Sequence, residues 1–140
     1  MPTAALIVAA GRGERTGHAL PKQYRRLGDR PVLRHAVERF LAHPGVDRVR
    51  VVVAPEHMAL YGDTVGDLPL EPPVLGGADR AATVRNGLEA LASGVAPDRV
   101  LVHDAARPLV PAEVIDRVLG ALRERDAAVP VLPVVDTLKR

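Results

Sequence analysis

Three stretches of the sequence carry residue types suited to holding a small polyanion. The first reads AAGRGERTGHALPKQY, from Ala9 to Tyr24. Small side chains at Ala9 and Ala10, followed by Gly11 and Gly13, let the backbone approach phosphate oxygens and present N–H groups to them. Arg15 and Lys22 add positive charge that a loop can fold over a triphosphate. The stretch is not a dinucleotide fingerprint, because Thr16 stands where glycine or alanine is required. It is not a P-loop either, because Lys22 follows Pro21 rather than a glycine. A glycine-rich turn with solvated arginines would account for Gly11 and Gly13 alone. The downstream Pro21-Lys22-Gln23 tips the reading toward phosphate binding.

The second stretch, GGADRAATV, runs from Gly76 to Val84. Two glycines before a helix N-terminus make a place where the edge of a flat base can rest on backbone. Thr83 has a hydroxyl that can donate to or accept from a ring, and Arg80 can reach a phosphate. The plainer alternative is a Gly-Gly turn with Asp79 as a helix cap. The third stretch, VLVHDAARPLV, runs from Val100 to Val110. A carboxylate directly after a strand, Asp104, can hold a divalent cation that bridges nucleotide phosphates, provided phosphates and water complete the oxygen shell. A solvated acid, or one paired with Arg107, remains the competing account of Asp104. His103 reads as a packed or hydrogen-bonded residue. His18, His35, His43 and His57 show no metal-ligand spacing and are expected at the surface.

The elements around these stretches alternate. Ala4–Ala9 and Val49–Ala54 are short apolar, β-branched runs of the kind that form strands buried on both faces. Arg99–His103 reads as another strand, and Val74-Leu75 as a brief one. Pro31 opens a helical pattern with Leu33, Ala36, Val37, Phe40 and Leu41 on one face. A short helix is expected within Glu56 to Asp67. Val84, Leu88 and Leu91 share a face in a helix capped by Asp79, and Pro111 starts a helix with Ile115, Val118, Leu119 and Leu122 inward. Ala127–Val135 is a last strand-like run, which Pro130 and Pro133 confine to an edge or irregular position. Strands separated by helices imply a parallel sheet covered on both faces: an α/β, Rossmann-like three-layer architecture. Ligands in such folds sit at the carboxyl ends of the strands, where all three stretches fall.

Composition sets the outer limits. A chain of 140 residues, 47% of them hydrophobic, suits one domain with a core of its own. The absence of cysteine excludes disulfides and thiolate metal sites and suits a reducing, cytoplasmic setting. No apolar run approaches the ~18 residues of a membrane span, and no leader precedes Ala4, so neither a membrane nor an export route is expected. A net charge of +2 and only three aromatic residues, Tyr24, Phe40 and Tyr61, argue against nucleic acid as a partner. The basic residues concentrate between Ala10 and Arg30 instead, which suits a small triphosphate.

Taken together, the AAG and PKQY runs, GGADRAATV, HDAARP and the terminal DTLKR occur in the order and approximate spacing of one family. The chain resembles 2-C-methyl-D-erythritol 4-phosphate cytidylyltransferases along its whole length. The resemblance implies a mostly parallel nucleotidyltransferase sheet and a homodimer that uses CTP, magnesium and a sugar-alcohol phosphate. It implies that residues 1–140 are the nucleotide-binding part of a cytidylyltransferase domain. By motif position, Arg15 and Lys22 stabilise charge on the α-phosphate. Ala9, Ala10, Gly11, Gly13, Gly77, Arg80 and Thr83 surround the nucleotide, with Ala105 next to the ribose. Asp104 is the magnesium-linked carboxylate, and Thr137 contacts substrate in the neighbouring subunit. Members of the family continue past the DTLKR motif, so the sheet is expected to be incomplete at its C-terminal side. Thr83 stands where the family more often has serine, which keeps the hydroxyl. A ribitol-phosphate cytidylyltransferase and a non-catalytic nucleotide-binding or dimerisation module are the alternative readings.

Overall fold

The computed structural model describes residues 1–11, 20–137 and 139. Strand β1 spans Thr3–Ala9 and is buried along its entire length, as its unbroken run of apolar and small residues requires. A 3-10 turn lies at Lys22–Tyr24. Two short strands, β2 (Arg26–Leu27) and β3 (Arg30–Pro31), then pair antiparallel. Gly28 makes their turn at a φ of 68°, a backbone conformation that costs glycine least. The remaining elements are α1 (Val32–Leu41), β4 (Arg48–Val53), a 3-10 turn (Pro55–His57) leading into α2 (Met58–Val65), β5 (Val74–Leu75), α3 (Arg80–Ala92), β6 (Arg99–Asp104) and α4 (Ala112–Ala121).

The main sheet has the order β5-β4-β1-β6, and every pairing in it is parallel. Successive β1 side chains point to opposite faces. Ala5, Ile7 and Ala9 therefore join a core with Leu33, Val37 and Phe40 of α1, Tyr61 and Val65 of α2, and Ile115 and Leu119 of α4. Ala4 and Leu6 face the other way and pack with Val52 and with Leu91 of α3. Helices thus cover both faces, and the anticipated three-layer α/β arrangement forms. The register sets Ala9 opposite Val53 and Val8 opposite Asp104, so the carboxyl ends of β1, β4 and β6 lie on one rim.

Several details differ from the sequence reading. Helix α3 buries Thr83, Gly87 and Leu91, while Leu88 is 40% exposed. The inward line is shifted because Gly87 sits on the sheet. A Cβ added there would lie 2.6 Å from Leu6 and 2.9 Å from Val52, so the absence of a side chain sets how closely the helix approaches. Pro31 and Pro111 are the N-cap residues of α1 and α4 rather than first-turn residues. Both hold extended backbone there, which the proline ring permits. Strand β6 runs one residue further than expected and includes Asp104. His43 is buried, not a surface residue: its Nδ1 accepts from the Gly45 N–H at 3.1 Å, and its Nε2 lies 3.3 Å from Asp116. The run from Ala127 to Val135 forms no strand, and Val129, Val131, Leu132, Val134 and Val135 are strongly exposed. Pro130 and Pro133 have no N–H to give a ladder, and no strand of the described sheet pairs with the run.

Candidate functional site

The rim formed by the carboxyl ends of β1, β5 and β6 gathers the three stretches. The first is held from below by the 3-10 turn. Pro21, Gln23 and Tyr24 are buried there, and Lys22 alone among the four is exposed. The Gln23 amide donates from Nε2 to the Ala9 carbonyl at 3.1 Å and to the Gly11 carbonyl at 3.0 Å. The backbone at the end of β1 is thereby tied to the residue next to Lys22. Tyr24 lies edge-on to His57 with ring centroids 5.6 Å apart, and burial pushes its phenol up to about 12, with Tyr61 adding to the shift. The ring is a fixed neutral support at neutral pH. Arg15 and Gly13, the first cation of the expected pair and the second glycine, lie outside the described residues. So does His18.

The second stretch meets the first directly. A Cβ on Gly76 would lie 2.5 Å from the Ala10 Cβ, and one on Gly77 would lie 2.5 Å from the Ala82 Cβ. Both glycines are fixed by close contact, since among the described residues only Gly28 has a positive φ. The Thr83 hydroxyl is buried and accepts from the Gly77 N–H at 3.1 Å, so its oxygen is already engaged with the loop and its proton remains to be donated. Asp79 caps α3 by accepting from the Ala82 N–H at 2.8 Å. Asn86 donates to the Leu75 carbonyl at 3.1 Å and pins the end of β5 to the same helix.

The third stretch closes the cluster. The Ala105 N–H donates to the Val8 carbonyl at 3.0 Å, while the Ala105 side chain is buried in the core, so Ala105 can face the rim only through its backbone. Asp104 Oδ1 accepts from the Ala106 N–H at 3.3 Å. Its Oδ2 lies 4.0 Å from Nη1 of Arg80 and 4.0 Å from Nε of Arg107. Those contacts are long and solvent-exposed, and such pairs contribute about 0–1 kcal/mol. They leave Oδ2 free to serve a cation. His103 donates from Nε2 to the Arg107 carbonyl at 2.8 Å and packs against Phe40 with centroids 4.8 Å apart. Burial, its largest influence, holds His103 below the usual imidazole range, so it is a neutral brace for the loop.

Ala9, Ala10, Gly11, Gly77, Thr83, Asp104 and Ala105 therefore gather on one rim, with Lys22 beside them and Arg80 reaching Asp104 only through a long, exposed contact. Thr137 is exposed and has no polar contact to this cluster among the described residues. Sequence reasoning did not single out Gln23 or Asn86 for a role. Gln23 entered only as part of the Pro21-Lys22-Gln23 run, and an amide side chain does not say which carbonyl it will find. Among the described residues no cluster of three or more acidic or histidine side chains could hold a metal by itself. A single exposed carboxylate oxygen suits a hard cation whose other ligands are phosphate and water. A separate groove of about 560 Å³ lies between α1 and α4, lined by Arg30, His35, Arg39, His43 and Asp116 among others. None of the rim residues lines it. No helix among the described residues is long and apolar enough to cross a membrane.

Comparison with known proteins gives consistent matches. The profile of the 2-C-methyl-D-erythritol 4-phosphate cytidylyltransferase family, IspD, matches residues 3–140. The chain is 56% identical over 138 residues to a protein of Rhodospirillum rubrum named bifunctional enzyme IspD/IspF, covering 98% of this chain and 36% of that one. It is 51% identical to the protein of the same name in Rhizorhabdus wittichii, covering 98% of this chain and 35% of that one. The crystal structure of a 4-diphosphocytidyl-2C-methyl-D-erythritol synthase superposes with a TM-score of 0.82 at 37% identity, over 99% of this chain and 63% of that chain. The bifunctional IspDF of Campylobacter jejuni shares the fold, with a TM-score of 0.84 at 24% identity over 100% of this chain and 36% of that chain. The chain thus spans about a third of the length of the curated relatives it matches.

Proposed function

This chain belongs to the 2-C-methyl-D-erythritol 4-phosphate cytidylyltransferase family, and from that membership we propose that it transfers a cytidylyl group from CTP to 2-C-methyl-D-erythritol 4-phosphate. The observation that supports the reading most is the joining of three loops on one rim. Gln23 ties the first loop to the turn that carries Lys22, Gly76 seats the second loop against Ala10, and Arg80 meets Asp104 of the third. A base-recognising backbone, phosphate-binding cations and a metal-binding carboxylate are the parts that this reaction needs in one place.

In the proposed reaction, a phosphate oxygen of the methylerythritol phosphate attacks the α-phosphorus of CTP. A new oxygen–phosphorus bond forms, the bond from the α-phosphorus to the bridging oxygen breaks, and pyrophosphate leaves with the electron pair. The attacking phosphate monoester is largely ionised at neutral pH, with a second pKa of about 6, so no general base is required. That agrees with a neutral, hydrogen-bonded His103 at the rim. The protein's task is in-line positioning and compensation of negative charge as it gathers. Lys22, exposed at the head of a buried turn, and Arg15 supply that compensation. The backbone after β1 and the Gly76–Gly77 turn receive the nucleotide, and Arg80 stands beside its phosphates. Asp104 holds magnesium, which when bound neutralises part of the triphosphate charge. Thr137 contacts the alcohol phosphate of a neighbouring subunit in a homodimer. The residues 1–140 act as one nucleotide-binding unit in the cytoplasm.

The test is pyrophosphate release by the protein carrying this chain, with CTP and magnesium, comparing methylerythritol phosphate with ribitol phosphate. Release with the first and little with the second is expected. Preference for ribitol phosphate would reassign the substrate. CTP binding without release from either alcohol would make the chain a nucleotide-binding module.

A further inference from the structure

Gln23 sits between the loop backbone and the exposed lysine, and no part of the chemistry above uses it. The residue is 6% exposed, so its amide is not spent on solvent. Both of its contacts leave one nitrogen, Nε2, and end on carbonyls two residues apart, at Ala9 and Gly11. One amide nitrogen has two N–H donors, enough for both bonds at once. A hydroxyl has one donor, a carboxylate none, and an ammonium would bring an uncompensated charge into a buried place.

Fixing the Ala9 carbonyl fixes the N–H that follows it. The Val8 carbonyl points toward β6, where it accepts from the Ala105 N–H. Successive carbonyls of an extended strand point to opposite sides, so the Ala9 carbonyl, held by Gln23, points away from β6. The planar trans peptide then turns the Ala10 N–H back toward β6 and Asp104. The same side chain belongs to the 3-10 turn from which Lys22 projects, so the lysine and the turned N–H are set by one clamp.

We propose that Gln23 is a positioning residue for the nucleotide's phosphates, holding the Ala9–Gly11 backbone in the shape that offers N–H groups to a triphosphate and fixing Lys22 relative to it. The proposal rests on the functional reading given above. It concerns phosphate recognition alone and leaves base and ribose recognition to the other two loops.

Gln23→Met keeps the length of the side chain and removes both donors. Two ligands separate positioning from a purely structural role: CTP with magnesium, and cytidine, which has the base and ribose without phosphates. Loss of the clamp is expected to weaken CTP binding about tenfold or more, with a larger fall in kcat than in folded fraction. Cytidine affinity is expected to change by less than about twofold, as at a site the substitution does not touch. Equal loss for both ligands, or an unchanged preference for CTP and unchanged kcat, overturns the proposal and leaves the functional reading in place. Absence of magnesium-dependent CTP binding in the unsubstituted protein overturns both. Should Gln23→Met not fold, Gln23→Glu decides by its pH profile. A protonated carboxyl donates one hydrogen bond and a carboxylate donates none, so turnover relative to the unsubstituted protein should rise about fivefold or more from pH 8 to pH 5.5. A flat ratio overturns the proposal.

Discussion

At Gly76 an added Cβ would lie 2.5 Å from the Ala10 Cβ, and at Gly77 it would lie 2.5 Å from the Ala82 Cβ, whereas at Gly11 it would meet none of the described residues within 4 Å. All three glycines stand on one rim of the sheet, after β5 and after β1. The two after β5 are required by the packing of the chain on itself. Among the described residues nothing in that packing demands glycine at Gly11. A residue type that reads alike in both stretches therefore has different causes: the second loop's glycines close the fold, and the first loop's suits backbone that a ligand approaches. The supports differ in the same way. Thr83 and Asp79 satisfy the second loop from within, while the first depends on Gln23 reaching back from a separate turn.

The comparison predicts a graded series of effects. The largest is at Lys22, whose neighbours in the turn are buried while it is exposed. Lys22→Ala should lower turnover about a hundredfold or more, close to 3 kcal/mol of charge compensation, with the melting temperature nearly unchanged. A parallel loss of fold stability, measured by thermal melts, would move Lys22 into the structural class. Gly76→Ala comes next. Ala10 is carried by backbone and cannot swing aside, so overpacking should destabilise the protein by about 1–3 kcal/mol in denaturant titrations. Stability equal to that of the unsubstituted protein would dissolve the distinction between the two loops.

Tyr24, beneath the first loop, provides a smaller effect that depends on pH. Its phenol is raised from 10.0 to about 12 by burial first and by Tyr61 second. The folded state holds its proton longer than the unfolded state does. The contribution is therefore fully present below pH 10 and lost as pH rises toward 12, amounting to about 2 kcal/mol. Stability curves of Tyr24→Phe and the unsubstituted protein should converge or cross over that window, and parallel curves would refute the assignment. The smallest effect belongs to Gly11→Ala. Stability should move by no more than about 0.5 kcal/mol, because no atom of the described residues is displaced. CTP affinity should nonetheless fall, and retention of full affinity would remove the reason offered for that glycine.

Much of the fold was legible because it follows from pattern. The unbroken apolar runs at Ala4–Ala9 and Val49–Ala54 can only be satisfied by burial on two faces, and β1 and β4 lie where the runs predict. The amphipathic line of α1 buries Leu33, Ala36, Val37 and Phe40 as expected. The cap at Asp79 also acts as its residue type suggests. Helix α3 was misread at Leu88 because periodicity ranks residues by hydrophobicity, whereas close contact between helix and sheet selected Gly87 for its lack of a side chain. His43 was misread because a histidine's burial depends on partners such as the Gly45 N–H and Asp116, which lie across the fold or around a turn. The Ala127–Val135 run has strand-like residues, yet a strand exists only where a neighbour completes its ladder.

The sequence by itself determined which residue types were on hand: glycines for close backbone approach, positive charge at Lys22 and Arg80, a carboxylate at Asp104, and alternating apolar runs that fix a layered α/β fold. Those properties are covalent or local, and they survive without coordinates. The tertiary structure alone decided who meets whom. It set Gly76 on Ala10, turned the Thr83 oxygen to Gly77, placed Arg80 and Arg107 at equal distance from Asp104, and gave both carbonyls of the first loop to Gln23. Such pairings arise from strand register and helix approach, which depend on packing across tens of residues and are written in no single motif.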